Sequence, residues 1–338
     1  MKRVLKILIQ KAIIALCRGP KFIFLLIKKE INNRKKYNLT HEVHKSFGNE
    51  FPDKTFYVIG ADENWCGLFA IIHHKLMHFE YAIEQGYIPV VDLQNYYNQY
   101  LSDYELFKEN AWEYFFEQPM GFGLDDINKA KNIIQSVHSN KPLNRQYFGY
   151  RDIFDKNIFL KYKNIFTTCV KLNNTSQDFC AKRYAEYLQN KGKVLGILCR
   201  GTDFNTLKPK GHPIQPTPDE VIMKAEEVIK KYNCDYIYVA TEDADIYDLF
   251  VKHFGDRLII DNTIRWRISD LPNGRSNSKR LSYTDKEGKY KSGMEYLSQI
   301  YLLSKCDCFI GGATYGSFGV LMMNENFDYQ YIFEKGYY

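Results

Sequence analysis

Val194-Leu195-Gly196-Ile197-Leu198-Cys199-Arg200-Gly201-Thr202-Asp203 is the stretch on which the fold of this chain turns. Its first six residues form an apolar run of the kind that makes a fully buried strand. The run stops abruptly at Arg-Gly-Thr-Asp. In open α/β sheets, ligands bind in the crevice beyond the carboxyl ends of the strands. An arginine there presents a planar fork of donors that suits a phosphate, and glycine lets the backbone approach a ligand closely. The stretch points to a parallel sheet with an anionic, phosphorylated ligand at the strand end. An ordinary strand end with a surface salt bridge would read the same way, so its neighbours have to decide.

Downstream, the chain alternates between helix and strand. Asp219–Tyr232 reads as a helix with Pro218 near its start, Tyr236–Thr241 as a strand, Asp245–Phe254 as a helix and Leu258–Asp261 as a short strand. Residues 263–292 are polar and read as a long loop, of a kind that is usually functional or mobile. Gly293–Ser304 follows as a helix and Cys306–Ile310 as a strand. Upstream, Phe56–Gly60 reads as a strand, Leu68–Glu84 as a helix stopped by Gly86, and Ile88–Leu93 as a strand. This β–loop–α–β order implies a parallel sheet. Residues 94–185 read as mainly helical and aromatic. The expected fold is α/β with two Rossmann-like domains: an arm and linker over 1–50, an N-terminal Rossmann-like and helical domain over 51–188, and a C-terminal one over 189–338.

At 338 residues, with 45% hydrophobic and 25% charged residues, the chain is a globular protein with room for two domains. Its net charge of +6 is unevenly spread: of 46 Lys/Arg and 40 Asp/Glu, residues 1–36 hold eleven basic residues and one acid, Glu30. A basic arm therefore precedes a mildly acidic body, which argues against a nucleic-acid-binding face. On a helix, Lys2, Arg3, Lys6, Gln10, Lys11 and Arg18 oppose Leu5, Leu8, Ile9, Ala12 and Leu16. That is the pattern of an amphipathic helix on an anionic membrane surface, through residues 1–30. Neither apolar run of the arm reaches the ~20 residues needed to cross a bilayer. Eight scattered cysteines without Cys-x-x-Cys read as free thiols in a reducing, cytoplasmic setting.

Three strand ends carry the chemistry. The first is Arg200-Gly201-Thr202-Asp203, and the second Ala240-Thr241-Glu242-Asp243. The third is Gly311-Gly312-Ala313-Thr314-Tyr315-Gly316-Ser317-Phe318-Gly319. Glycines expose backbone N–H groups, and a helix starting near Ser317 would aim its positive end at an anion. The loop has no Gly-Lys-Ser/Thr, so it is not an ATPase P-loop, and no strict G-x-G-x-x-G. An anion-binding loop, an arginine and an acid for base or ribose together suit a nucleoside diphosphate. Glu242 and Asp243 have a plainer role open to them at a helix N-terminus. His73, His74 and His78 read as surface or domain-interface histidines rather than a metal site, because no acid partners them as in His-Glu-x-x-His.

Leu195–Asp203, His212-Pro213-Ile214, Tyr236–Asp243, Asp261–Trp266 and Leu302–Ser317 occur in one order. That series resembles the α1,6-fucosyltransferases that build core fucose and nodulation signals, and more distantly the protein O-fucosyltransferases. The resemblance covers about residues 194–320 well and the first half poorly. It implies a glycosyltransferase B-type fold, GDP-fucose as donor, inversion at the anomeric carbon, no metal or other cofactor, and a glycan or lipid-linked glycan acceptor. By position it implies that Arg200 holds the β-phosphate and that Asp203 is the acid of the same motif. His212, Glu242, Asp243, Gly311, Gly312, Thr314 and Ser317 would line the nucleotide-sugar site with Gly201. Asn64 and Gly67 match the Gly/Asn-rich loop facing the donor.

The chain departs from that pattern at three places. Leu198 stands where a histidine lies against guanine, Gly201 replaces a second arginine, and Lys208 stands where the family has its proposed general base. A protonated lysine cannot take a proton, so Asp203, Glu63 and Asp62 become the candidates. Glu295 is the nearest acid to the family's acidic position on the helix before the glycine loop, which falls on Gln299. The expected function is an inverting, metal-independent fucosyltransferase acting on a surface polysaccharide or lipopolysaccharide. The alternatives are transfer of another nucleotide-linked sugar, or sugar-nucleotide binding without transfer.

Overall fold

The computed structural model of the protein describes residues 41–61, 63, 66–102, 104–137, 139–201, 208–267 and 286–338. The basic arm lies outside them, as do Asp62, Asn64, Asp203 and most of the polar loop. Among the described residues no helix is long and apolar enough to cross a membrane. Seven cysteines are described, all as free thiols, and all but Cys66 are buried.

Two four-stranded sheets carry the fold. The first contains β1 (Val43–Lys45), β2 (Glu50–Ile59), β3 (Ile88–Val91) and β4 (Ala130–Gln135), in the order β1-β4-β2-β3. β2 runs parallel to β3 and β4, while β1 is antiparallel to β4. The helices of this half are α1 (Leu68–Glu84), the short α2 (Leu124–Ile127), α3 (Lys156–Cys169) and α4 (Asn174–Tyr187). The second sheet is wholly parallel, with β5 (Val194–Leu198), β6 (Tyr236–Ala240), β7 (Cys308–Gly312) and β8 (Tyr329–Phe333) in the order β6-β5-β7-β8. Its helices are α5 (Pro218–Tyr232), α6 (Ala244–Phe254), α7 (Lys286–Ser304) and α8 (Tyr315–Met323).

β5 is apolar throughout because both its faces are covered. Leu195, Ile197 and Cys199 pack with Val221, Ala225 and Phe250 of α5 and α6. Val194 and Leu198 turn the other way, towards Leu297 and Leu303 of α7. α5 starts where the sequence says it should. Thr217 accepts from the Glu220 N–H at 3.3 Å, the Glu220 carboxylate accepts from the Thr217 N–H at 2.8 Å, and Pro218 occupies the first turn.

The same topological event occurs in both sheets. From β5 the chain steps outward to β6, then returns to place β7 on the opposite side. From β2 it steps to β3, then returns to β4. Each reversal leaves a crevice at the carboxyl ends, between β5 and β7 and between β2 and β4, where α/β sheets bind ligands.

α1 is the buried axle of the molecule, packing on the first sheet, α3 and α8. α8 passes so close that a Cβ at Gly319 would lie 2.2 Å from Cδ1 of Phe69, so only glycine admits that ring. One buried cluster runs from Tyr57 and Phe69 through Phe148 and Phe166 to Leu297, Phe309 and Phe318. The expected boundary at 188/189 thus separates two sheets in the chain, but the core is continuous across it.

Four readings change. β4 replaces expected helix, and the described residues of 94–123 form turns, bends and isolated bridges. Those turns are closed by short polar side chains: Asp92 Oδ1 accepts from the N–H groups of Gln94 and Asn95, and Asn98 Oδ1 from those of Tyr100 and Leu101. Such local bonds compete with helix. The expected strand at 258–261 is a single bridge from Leu258 to Ile237. The expected strand Cys306–Ile310 begins two residues later, at Cys308. α7 begins at Lys286, inside the stretch read as loop.

Candidate active site

Both crevices open into one cavity of about 860 Å³. Its second-sheet wall is supplied by the ends of β5, β6 and β7: Leu198 and Arg200, then Thr241 and Glu242, then Thr314 to Gly316. Its first-sheet wall holds Cys66 and Gly67 after β2 and Asn140 after β4.

Two helix N-termini end at this cavity. Gly67 is the extended N-cap of α1, and no side chain caps it. Thr314 is the N-cap of α8 and accepts from the Ser317 N–H at 3.1 Å. Orphan N–H groups and the aligned peptide dipoles make such ends favourable for anions. Arg200 adds a full charge beside them. Glu242, beyond the end of β6, accepts from the Gly201 N–H at 3.2 Å and lines the same cavity.

Not every expected residue faces the cavity. Asp243 is buried as the N-cap of α6, accepting from the N–H groups of Asp245 and Ile246 at 2.9 and 3.1 Å. Ser317 is fully buried and donates to the Gly312 carbonyl at 2.5 Å. Gly311 and Gly312 lie inside β7. A Cβ at Gly312 would lie 2.0 Å from Oε1 of Gln215, whose amide is pinned to the carbonyls of Pro213 and Ala313. Gly312→Ala is expected to cost about 1–3 kcal/mol by overpacking, read as a lower midpoint in thermal unfolding. His212 does line the cavity, on a loop tied down by backbone bonds to Gly336 and Tyr338. Lys208 is exposed and is not part of the wall.

The Asp261–Trp266 run is positioned from beneath. Asp261 is buried and pairs with Arg265 at 2.5 Å and Arg183 at 3.6 Å, and it accepts from Tyr238 at 3.1 Å. This network holds Thr263, Ile264 and Trp266 at the cavity. Three phenols add a neutral donor surface: Tyr315, within the glycine-rich stretch, and Tyr147 and Tyr150, which the sequence did not single out. Tyr315 stacks on Tyr150 with ring centroids 4.4 Å apart, and its hydroxyl lies 2.7 Å from that of Tyr147. Burial pushes all three phenols above their usual range, so they are protonated and can donate to sugar or phosphate oxygens.

The three histidines divide by role. Of the two positions expected, surface or domain interface, the surface one does not hold for His73 and His78, which are buried; His73 lies where the halves meet, against Phe148, Tyr315 and Phe318. They bond the Phe148 and Ser139 carbonyls at 2.6 and 3.0 Å, and burial lowers both imidazoles to about 3. His74 lines the cavity, and its Nδ1 lies 3.3 Å from Glu63. Glu63 is the acid that helix spacing did not reveal. Its other oxygen accepts from Lys75 at 2.8 Å, in a pair that is almost wholly buried. Burial opposes ionisation of Glu63, but the Lys75 charge and the His74 contact outweigh it and hold the carboxyl at about 2. Donor atoms of Glu63, Cys66 and His74 lie within 4.8 Å of one another, as metal ligands would. The Lys75 ammonium already supplies the positive charge that this carboxylate requires, and burial pushes the Cys66 thiol up to about 12. The ammonium and a cation would compete for the same carboxylate.

No protein-family model matches the chain, and no curated protein matches it. Among solved structures, it is similar to NodZ α-1,6-fucosyltransferase soaked with GDP-fucose, at 14% identity and a TM-score of 0.46, covering 80% of this chain and 93% of that one. A variant of Arabidopsis thaliana FUT1 in complex with GDP aligns at 12% identity and a TM-score of 0.46, over 94% of this chain and 80% of that one. POFUT1 in its apo form aligns at 7% identity and a TM-score of 0.47, over 82% and 98%.

Proposed function

We propose that this chain is an inverting, metal-independent glycosyltransferase that moves fucose from GDP-fucose to a hydroxyl of a glycan. The observation that carries the reading is the meeting of Arg200 with the N-terminal ends of α1 and α8 in one cavity, at the carboxyl ends of both sheets. A nucleoside diphosphate leaving group gathers negative charge as its bond to the sugar breaks. Fixed donors aimed at that charge stabilise the transition state without having to reorganise. Glu242, Ile264 and Trp266 offer the acid and apolar surfaces that a ribose and base need. The buried Lys75 beside Glu63 supports a reaction without a metal.

The acceptor enters from the first-sheet side, past Gly67 and Asn140. A polysaccharide or lipid-linked glycan fits the proposed role of residues 1–30, which would hold the enzyme on the anionic cytoplasmic face of a membrane. The exposed Lys208 favours the alternative of binding without transfer, whereas His74 at the cavity wall, backed by the buried Glu63, favours transfer.

The test is thermal unfolding with GDP, UDP, ADP and CMP. GDP alone is expected to stabilise the protein, by about 2.7 kcal/mol at a hundredfold excess over Kd. A shift with UDP instead changes the donor, and no shift with any of the four overturns the sugar-nucleotide reading.

A further inference from the structure

We propose that His74 is the base that takes the acceptor hydroxyl's proton, with Glu63 as its positioning residue. This assignment rests on the transferase reading above.

Glu63 is 1% exposed and does not line the cavity, and its two oxygens are turned to Lys75 and His74, so an acceptor in the cavity does not reach it. The carboxylate can act only through the imidazole. With Nδ1 at 3.3 Å from an ionised carboxylate, the favoured neutral tautomer carries its proton on Nδ1. Nε2 is then left as a proton acceptor on a ring that lines the cavity. A carboxylate that orients an imidazole and steadies its charged form is the arrangement of hydrolytic triads, here without the nucleophile.

The position suits the chemistry. The His74 ring centroid lies 5.8 Å from that of Tyr315, at the start of α8, and 6.5 Å from that of Tyr147. The base therefore stands next to the end of the cavity that receives the diphosphate, where the sugar's anomeric carbon must lie. The charged and titratable groups facing it are Glu63 and Cys66 from the loop after β2, His73, Lys75 and His78 from α1, Tyr147, and Tyr315 from α8.

In the step, an acceptor oxygen lone pair forms the bond to the anomeric carbon. The bond from that carbon to the β-phosphate oxygen breaks, and its electron pair leaves on the diphosphate. The acceptor proton passes to Nε2 of His74 and later to solvent.

The experiment uses the whole protein with GDP-fucose as donor and water as acceptor, reading GDP release against pH. A base contributes about 10²–10⁴-fold, so His74→Gln and His74→Asn are expected to lose at least 100-fold in kcat while GDP still stabilises them. The native profile falls at acid pH along a one-proton limb, and the variants lose that limb. Azide, a nucleophile with no proton to surrender, is expected to restore GDP release in the variants by forming the glycosyl azide. GDP release that survives both substitutions overturns the assignment alone. So does a loss that azide fails to rescue in a variant that GDP still stabilises. No GDP release from a native protein that GDP stabilises overturns the transferase reading in favour of binding without transfer, and this assignment with it.

Discussion

Arg200→Ala is expected to lower turnover by at least 10²–10³-fold, the usual loss when one fixed donor to developing charge is removed. GDP is expected to stabilise the variant less than the native protein. The side chain follows Cys199, which is anchored in the sheet core, and reaches a cavity shared with two helix ends. It is half-buried, so the folded state is expected to survive truncation, with little change in the unfolding midpoint without ligand. Arg200→Lys keeps the charge but not the two-pronged geometry, and it is expected to recover part of the loss. Full GDP-fucose turnover by Arg200→Ala would remove this residue from the donor site.

Lys75→Met is expected to destabilise the fold by about 3–5 kcal/mol, because it strands a buried carboxylate without its partner. Adding Glu63→Gln to that variant should recover much of the loss, since the stranded charge is then gone. The pair also sets a pH dependence. Unfolded, Glu63 titrates near its usual 4.5, whereas in the fold it is held at about 2. Its contribution is therefore complete above pH 4.5 and is lost as pH falls towards 2. At 1.36 kcal/mol per pH unit the linkage is worth about 3 kcal/mol. Denaturant unfolding from pH 6 down to pH 2 checks both points. In the Lys75→Met variant this decline is expected to disappear or reverse, because burial without the lysine raises the carboxyl and its protonation then relieves the stranded charge. An unchanged unfolding free energy in Lys75→Met would show that the pair does not support the fold.

The second sheet was legible because its strands are short apolar runs punctuated by unambiguous stops. Val194–Leu198 buries both faces, and Thr217-Pro218-Asp219-Glu220 announces the helix that follows. The first half is written less plainly. Ala130–Gln135 opens with Ala-Lys-Asn, poor β-formers that owe their place to pairing with β2. The aromatic stretch around Trp112 looks helical by composition, yet Asp92 and Asn98 hold the chain before it in turns. In the site, Arg200 and Glu242 could be read from their strand ends. The Glu63–His74–Lys75 cluster could not, because its carboxylate comes from a loop eleven residues before the histidine. One signal was present: Lys75 sits among Ile71, Ile72, Leu76 and Met77 on a helix that is apolar nearly all round, and a lysine so placed calls for a buried acid.

Phe69 seated on Gly319, and His73 between Phe148 and Tyr315, mean that the two halves are joined by packed core beneath the cavity. Rotating the halves apart would tear open the cluster they share, at roughly 25 cal/mol for every Å² of apolar surface exposed. The molecule is built as a fixed jig and not as a pair of jaws. Selectivity then comes from whether a reactant fits a shape already standing.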